Sequence, residues 1–144
     1  MKILISILLI IHGLIVAGQA VGSFGSTIPN EIQNPSFVSW WPVNMGRSWL
    51  FSWLGLDKTL VVYRIGGLLW LAGGIALVAA GLGALGFVIP TAWWRDLAVA
   101  GGAISLLMLA IYLHPLLIIG TASSVAVLAV LLWSKWPLAS LIRW

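Results

Sequence analysis

The chain predicts an all-α fold: a polytopic membrane protein, a four-transmembrane-helix bundle with an amphipathic helix at the outer interface between spans one and two. Three observations predict it. Hydrophobic residues make up 62% of the 144 positions and charged residues 7%. A soluble domain carries roughly 25% charged residues, so this surface has to face lipid over most of its area. The apolar residues fall into runs of spanning length, and the basic residues stand singly beside those runs.

The first run covers about 3–22, interrupted by Ser6, His12 and Gln19. The second covers about 59–87, the third 97–113 and the fourth 116–133. A helix needs roughly 20 residues to cross a hydrocarbon core of about 30 Å. Runs three and four are short, but one helix of their joint length would overrun the bilayer. Pro115 would also break it and suits the first turn of span four. The whole chain, 1–144, is thus expected to be a single transmembrane domain. Lys2 followed by an apolar stretch and Gly18-Gln19-Ala20 has the look of a cleavable leader. The stretch is longer than a usual leader core, so it is read as a retained span.

Orientation follows from the basic residues. With the N-terminus inside, Lys2, Arg95, Lys135 and Arg143 are cytoplasmic, while Arg47 and Lys58 are outside. Both termini are then cytoplasmic. Trp93, Trp94, Trp133, Trp136 and Trp144 are expected at the inner interface. Trp40, Trp41, Trp49, Trp53, Tyr63 and Tyr112 are expected at the outer one, the level amphipathic rings prefer. In the loop, 23–57, Asn44 is expected to cap a flat interfacial helix from Met45 to Leu56.

Lipid provides no hydrophobic drive between apolar helices, so packing needs small residues on facing stripes. Gly67, Gly74 and Gly81 recur every seven residues, flanked by Gly66, Gly73 and Ala80. Gly18 and Gly22 form a small-xxx-small pair in span one, and Gly102 lies on the small face of span three. Leu77 is expected to face lipid. These stripes are read as packing seams; a glycine-lined groove for a flat ligand is the alternative.

Few side chains offer chemistry. There is no cysteine, which removes thiol catalysis and thiolate metal sites. No nucleotide-binding glycine loop occurs, and the scattered basic residues exclude a nucleic-acid face. No carboxylate falls in mid-span, and Glu31 is the only glutamate, so an ion-coupled transporter lacks its usual site. His12 lies ten residues beyond Lys2, about 15 Å along a helix and near the bilayer centre. An ionisable group there is a functional candidate. It suits a haem, a chlorophyll-type magnesium, a quinone carbonyl or a proton relay. The alternative is a neutral imidazole bonded to a neighbouring helix, with Ser105, Ser123 and Ser124 as candidate partners. His114 is a weaker cofactor candidate at the outer edge, within reach of water. Arg64 is expected to snorkel outward beside Asp57 and Lys58, and Asp96 suits a helix N-terminus.

Several segments carry a resemblance. They are His12-Gly13-Leu14-Ile15, Leu69-Trp70-Leu71-Ala72, Trp93-Trp94-Arg95 through Ser105-Leu106-Leu107, and His114-Pro115 to Gly120. They resemble a group of small four-helix bacterial integral membrane proteins, often uncharacterised or called permease-like. DoxX-type four-helix membrane proteins are a looser likeness. Val16 stands where such proteins carry a second span-one histidine. The resemblance implies four spans and a bacterial inner membrane, and no activity. No cofactor is identified from the sequence. The expected function is a structural or accessory membrane protein, held in the lipid bilayer within a larger complex or a homo-oligomer. A binding protein for a lipophilic ligand or pigment through His12 is the alternative. An enzyme is not expected, for want of a polar cluster. On this topology, reporter fusions at Gly25, Ala92 and the C-terminus read outside, inside and inside; a C-terminal reporter on the outer side overturns the four-span count.

Overall fold

Inside a bilayer every backbone N–H and C=O needs an internal partner, so apolar runs of this length become helices whatever their glycine content. The structure, a computed structural model, describes residues 2–28 and 32–132. The expectations for Glu31, Trp133, Lys135, Trp136, Arg143 and Trp144 lie outside those residues. The helices are α1 (Lys2–Gly18), a short α2 (Trp49–Trp53), α3 (Leu60–Leu85), α4 (Trp94–Ile111) and α5 (Ile118–Leu132). Among the described residues three segments are long and apolar enough to cross a membrane: Leu60–Leu85, Thr91–Ile111 and Pro115–Leu132. The last two include the 3-10 turns that lead into α4 and α5. The apolar helix α1 is shorter, at 17 residues. Beyond it, tight i to i+3 bonds from Gln19 to Val16, Ala20 to Ala17 and Val21 to Gly18 carry the chain onward, and Gly22 turns it with φ +89°.

The helices pack in chain order, with α1 on α3, α3 on α4 and α4 on α5, each antiparallel to the one before. This is the up-down-up-down course that short connections favour. α3 is the centre, and its two glycine stripes serve different neighbours. A Cβ on Gly74 would meet Ala17 N at 2.5 Å and Gly13 O at 2.6 Å. One on Gly81 would meet Ser6 O at 2.7 Å, and one on Gly67 would strike the Ser23 side chain. The parallel stripe faces α4: Gly66 lies under the Tyr112 hydroxyl and Gly73 under Ile104 and Ser105. On α4, a Cβ at Gly101 would meet Gly73 O and Leu77 N, both at 2.9 Å. Gly102 abuts Leu128 and Val127 of α5.

Three expectations are corrected. Among the described residues a Cβ on Gly18 would meet nothing within 4 Å, and Gly22 is an exposed turn residue beyond the end of α1, so neither forms a helix-packing contact there. The close approach on α1 is at Gly13, where a Cβ would meet Gly74 O at 2.7 Å. Leu77 does not face lipid; it is 0% exposed and wedged against Gly101. The loop helix is not Met45–Leu56 but α2, five residues long. Its cap is Ser48, whose Oγ accepts from Phe51 N at 3.0 Å. Gly46 at φ +83° breaks the chain before it, and Gly55 at φ +69° stands just beyond its end.

Side chains bond backbone carbonyls at both ends of the bundle, and at the loop end those carbonyls are the orphans of the α4 C-terminus. Ser48 Oγ donates to Ile111 O at 3.0 Å and Trp49 Nε1 to Ala110 O at 2.7 Å, fastening the loop to the last turn of α4. At the other end the Arg95 guanidinium donates to Leu131 O in α5. Asp57 pairs with Arg47 at 3.6 Å, whereas Arg64 is exposed.

Gly74→Ala is expected to lower the melting temperature in detergent by several degrees, because a methyl at a backbone contact overpacks the seam at about 1–3 kcal/mol. Gly18→Ala, which meets open space, should leave it unchanged. Equal melting of the two variants would remove the glycine seam as the source of packing.

Candidate functional site

α1 and α5 barely touch, although both flank the same core. Each is held by its own neighbour, α1 by α3 and α5 by α4, and between them runs a crevice of about 610 Å³. Trp70, Trp94 and Leu109 form its floor and are 4%, 7% and 3% exposed. The α1 wall carries His12 and Gln19 among isoleucines and leucines. The α5 wall carries Gly120, Ser123 and Ala126, whose small side chains leave the room. The lips are exposed apolar side chains, Ile15 on α1 and Ile119 on α5 among them. Among the described residues no charged side chain lines the crevice.

Among the described residues one polar side-chain contact joins α1 to α5. His12 Nε2 lies 3.0 Å from Ser124 Oγ, one of the three hydroxyls considered from the sequence. Ser124 is fully buried. The other two have different partners. Ser105 Oγ donates to Gly101 O at 2.7 Å and Ser123 Oγ to Ile119 O at 2.8 Å, both within their own helices. Ser124 therefore differs from its neighbours in spending its bond between helices rather than along one.

Trp94 and Trp70 were the site residues hardest to find. Trp94 reads as an interfacial belt residue beside Trp93, yet only Trp93, 61% exposed, turns outward. The available signal was the helical offset: Trp94, Ala98, Gly101, Gly102 and Ser105 lie on the buried face of α4. Tyr112 likewise turns inward, with its ring 6.0 Å from Trp70 and 6.2 Å from Phe51.

His114 is corrected from a water-reached edge position. It is 4% exposed and bonded on both nitrogens. Nδ1 accepts from Leu116 N at 3.2 Å, which caps the turn into α5 while Pro115 at the first position needs no acceptor. Nε2 then carries the proton and donates to Asn34 Oδ1 at 3.0 Å. Asn34 Oδ1 also accepts from Met45 N at 3.0 Å, and its amide donates to Trp41 O and Val43 O at 3.2 and 3.1 Å. His114 and Asn34 thus tie the loop to the α4–α5 turn, apart from His12, and the two histidines share no site. Among the described residues no three His, Cys, Asp or Glu side chains gather as a metal ion needs.

Burial holds the His114 imidazole below its ordinary value of 6.5. Its neutral form therefore favours the fold. This contribution is complete above pH 6.5, where the unfolded histidine is also neutral, and is lost as pH falls through the lower folded pKa. A proton on Nδ1 would face the Leu116 N–H and remove that bond, at about 1–3 kcal/mol. Protection factors for amide exchange in residues 32–48, which cancel the intrinsic slowing of exchange toward acid, should be high at pH 7.5 and fall toward pH 5. Asn34→Ala should make them low throughout and flatten the dependence, and pH-independent protection in the unchanged protein would overturn the role of His114.

Comparison with protein-family models, with curated proteins and with solved structures gives no match.

Proposed function

We propose that this protein spans the bacterial inner membrane four times, with both termini cytoplasmic, and binds a lipophilic molecule in the crevice between α1 and α5, with His12 as its polar anchor. Supporting the fourth span, α1 is apolar and its 17 residues cover about 25 Å. That is the lower end of spanning length, and the tight turns after it add more. It also runs antiparallel to α3 along its length. Lys2 and Arg95 belong to one end of the bundle and Arg47 and Lys58 to the other, which supports the orientation.

The observation that carries the functional reading is a half-buried histidine lining a crevice of about 610 Å³ at mid-helix. Small-molecule sites are concave, mostly apolar, marked by a few placed polar groups, and roughly 300–1,000 Å³ in volume. A histidine of purely structural use would be sealed among packed side chains, as His114 is. Quinones, haem and chlorophyll-type pigments are classes of lipophile that use such an imidazole.

A second reading, an accessory subunit of a larger complex or a homo-oligomer, is favoured by the outer face of α5. Ile118 and Val125 there are 67% and 47% exposed, and a neighbouring helix in the membrane would cover them as well as lipid does.

Gentle purification followed by the visible spectrum and mass spectrometry of extracted lipophiles tests the binding reading. A stoichiometric lipophile is expected with the unchanged protein. Ala126→Phe, which adds bulk to the crevice wall and leaves His12 and Ser124 unsubstituted, should reduce it at least about tenfold, equivalent to about 1.4 kcal/mol. Identical recovery from both proteins would overturn the crevice as the binding site.

A further inference from the structure

We infer that the crevice takes a neutral lipophile without a lipid headgroup, whose carbonyl oxygen accepts a hydrogen bond from His12 Nδ1. The inference rests on the binding and four-span readings above and names the class of ligand. It starts from the protons of the His12–Ser124 pair. A hydroxyl carries one proton and needs an acceptor for it. Thr121 and Ser123 give theirs to the carbonyls of Leu117 and Ile119, at 3.1 and 2.8 Å. Among the described residues Ser124 has one partner, His12 Nε2. Donation from Ser124 to Nε2 uses that proton and leaves the ring's own proton on Nδ1. Nδ1 has no partner among the described residues, and it is not among the atoms sealed from the surroundings. The ring that bears it lines the crevice. A lone N–H in hydrocarbon is costly, so the crevice calls for an acceptor.

The surroundings narrow the ligand. Among the described residues no charged side chain lines the crevice, so none of them compensates a carboxylate, phosphate or ammonium. Depth narrows it again. His12 lies about 15 Å along α1 from Lys2, the middle of a core of about 30 Å. The ester carbonyls of membrane phospholipids stay at headgroup level, well away from that depth. The acceptor therefore belongs to a molecule that enters the core whole, such as an alkyl quinone or a long-chain ketone. Gln19, seven residues and about 10 Å further along the same wall, offers a second polar contact toward the loop end.

The test uses the full chain in nanodiscs of saturated phosphatidylcholine, with a photo-crosslinking alkyl diazirine mapped to the α1 and α5 peptides. Competitors are a decyl-benzoquinone, a long-chain ketone, the matched alkylbenzene, palmitate and a long-chain alkylamine. The carbonyl compounds are expected to displace the diazirine about tenfold more tightly than alkylbenzene, the scale of one hydrogen bond. His12→Leu should reduce them to the alkylbenzene level while leaving alkylbenzene within about twofold. Displacement by quinone and ketone alike assigns the preference to the carbonyl; displacement by quinone alone assigns it to the quinone ring. Equal competition by carbonyl and hydrocarbon overturns the ligand class and leaves the crevice reading standing. Preference for palmitate or the amine overturns neutrality. Absence of crosslinking to α1 and α5 overturns the crevice reading itself. The ¹⁵N shifts of His12 in the unchanged protein give a readout independent of any variant. A proton on Nδ1 that responds to ketone and not to alkylbenzene is expected, and a proton on Nε2 overturns the inference.

Discussion

Gly13 and Gly74 bring two helix backbones so close that a methyl on either would collide with the main chain of the other. Everything else in the bundle is arranged around that contact. Apolar side chains gain nothing by leaving hydrocarbon for hydrocarbon, so attachment between these helices depends on dispersion at short range. Short range requires the missing Cβ atoms. α3 supplies them on two flanks, and that places it between α1 and α4 with Leu77 filling the space beside Gly101. Glycine costs a soluble helix about 1 kcal/mol per residue relative to alanine. In lipid the unpaired backbone has nowhere better to go, so that penalty gives way to the gain from proximity.

The crevice follows from the same arrangement. Once α1 and α4 have both packed on α3, α5 has a single flank to lie on, and its small residues Gly120, Ser123 and Ala126 face an opening instead of a neighbour. The His12–Ser124 bond spans that opening as the polar link between two helices that otherwise keep apart. Below it two tryptophans make the floor, with ring surface that suits a flat or flexible apolar molecule.

Much of this was legible in the residues, for definite reasons. Composition and run length announce helices in lipid, because membrane thickness leaves few other ways to bury so many apolar residues. The heptad of Gly67, Gly74 and Gly81 announced a seam, and its neighbours Gly66 and Gly73 a second one. Partner identity was less accessible. Gly18 and Gly22 match the small-xxx-small spacing as well as any pair, but the helix ends at Gly18 and the spacing loses its meaning there. Gly13, embedded in large residues, shows no stripe of its own. His12 stood out by its isolation, and Ser124 was one hydroxyl among several until the fold chose it. His114 misled because its position beside Pro115 suggests an exposed turn. The burial comes from Asn34, eighty residues earlier in the chain, and nothing local signals such a pairing.

α5 is fastened at its edges: Arg95 reaches the carbonyl of Leu131 at one end, and His114 caps the turn that precedes it at the other. Among the described residues it rests mainly on α4, with the Ser124 contact reaching α1. It is also the last of these helices to leave the ribosome. During synthesis α1, α3 and α4 can join along their glycines before α5 emerges, so α5 docks onto three helices already packed. On the proposed binding reading, the seam between α1 and α5 would admit a molecule dissolved in the membrane by sideways diffusion, with no passage through water.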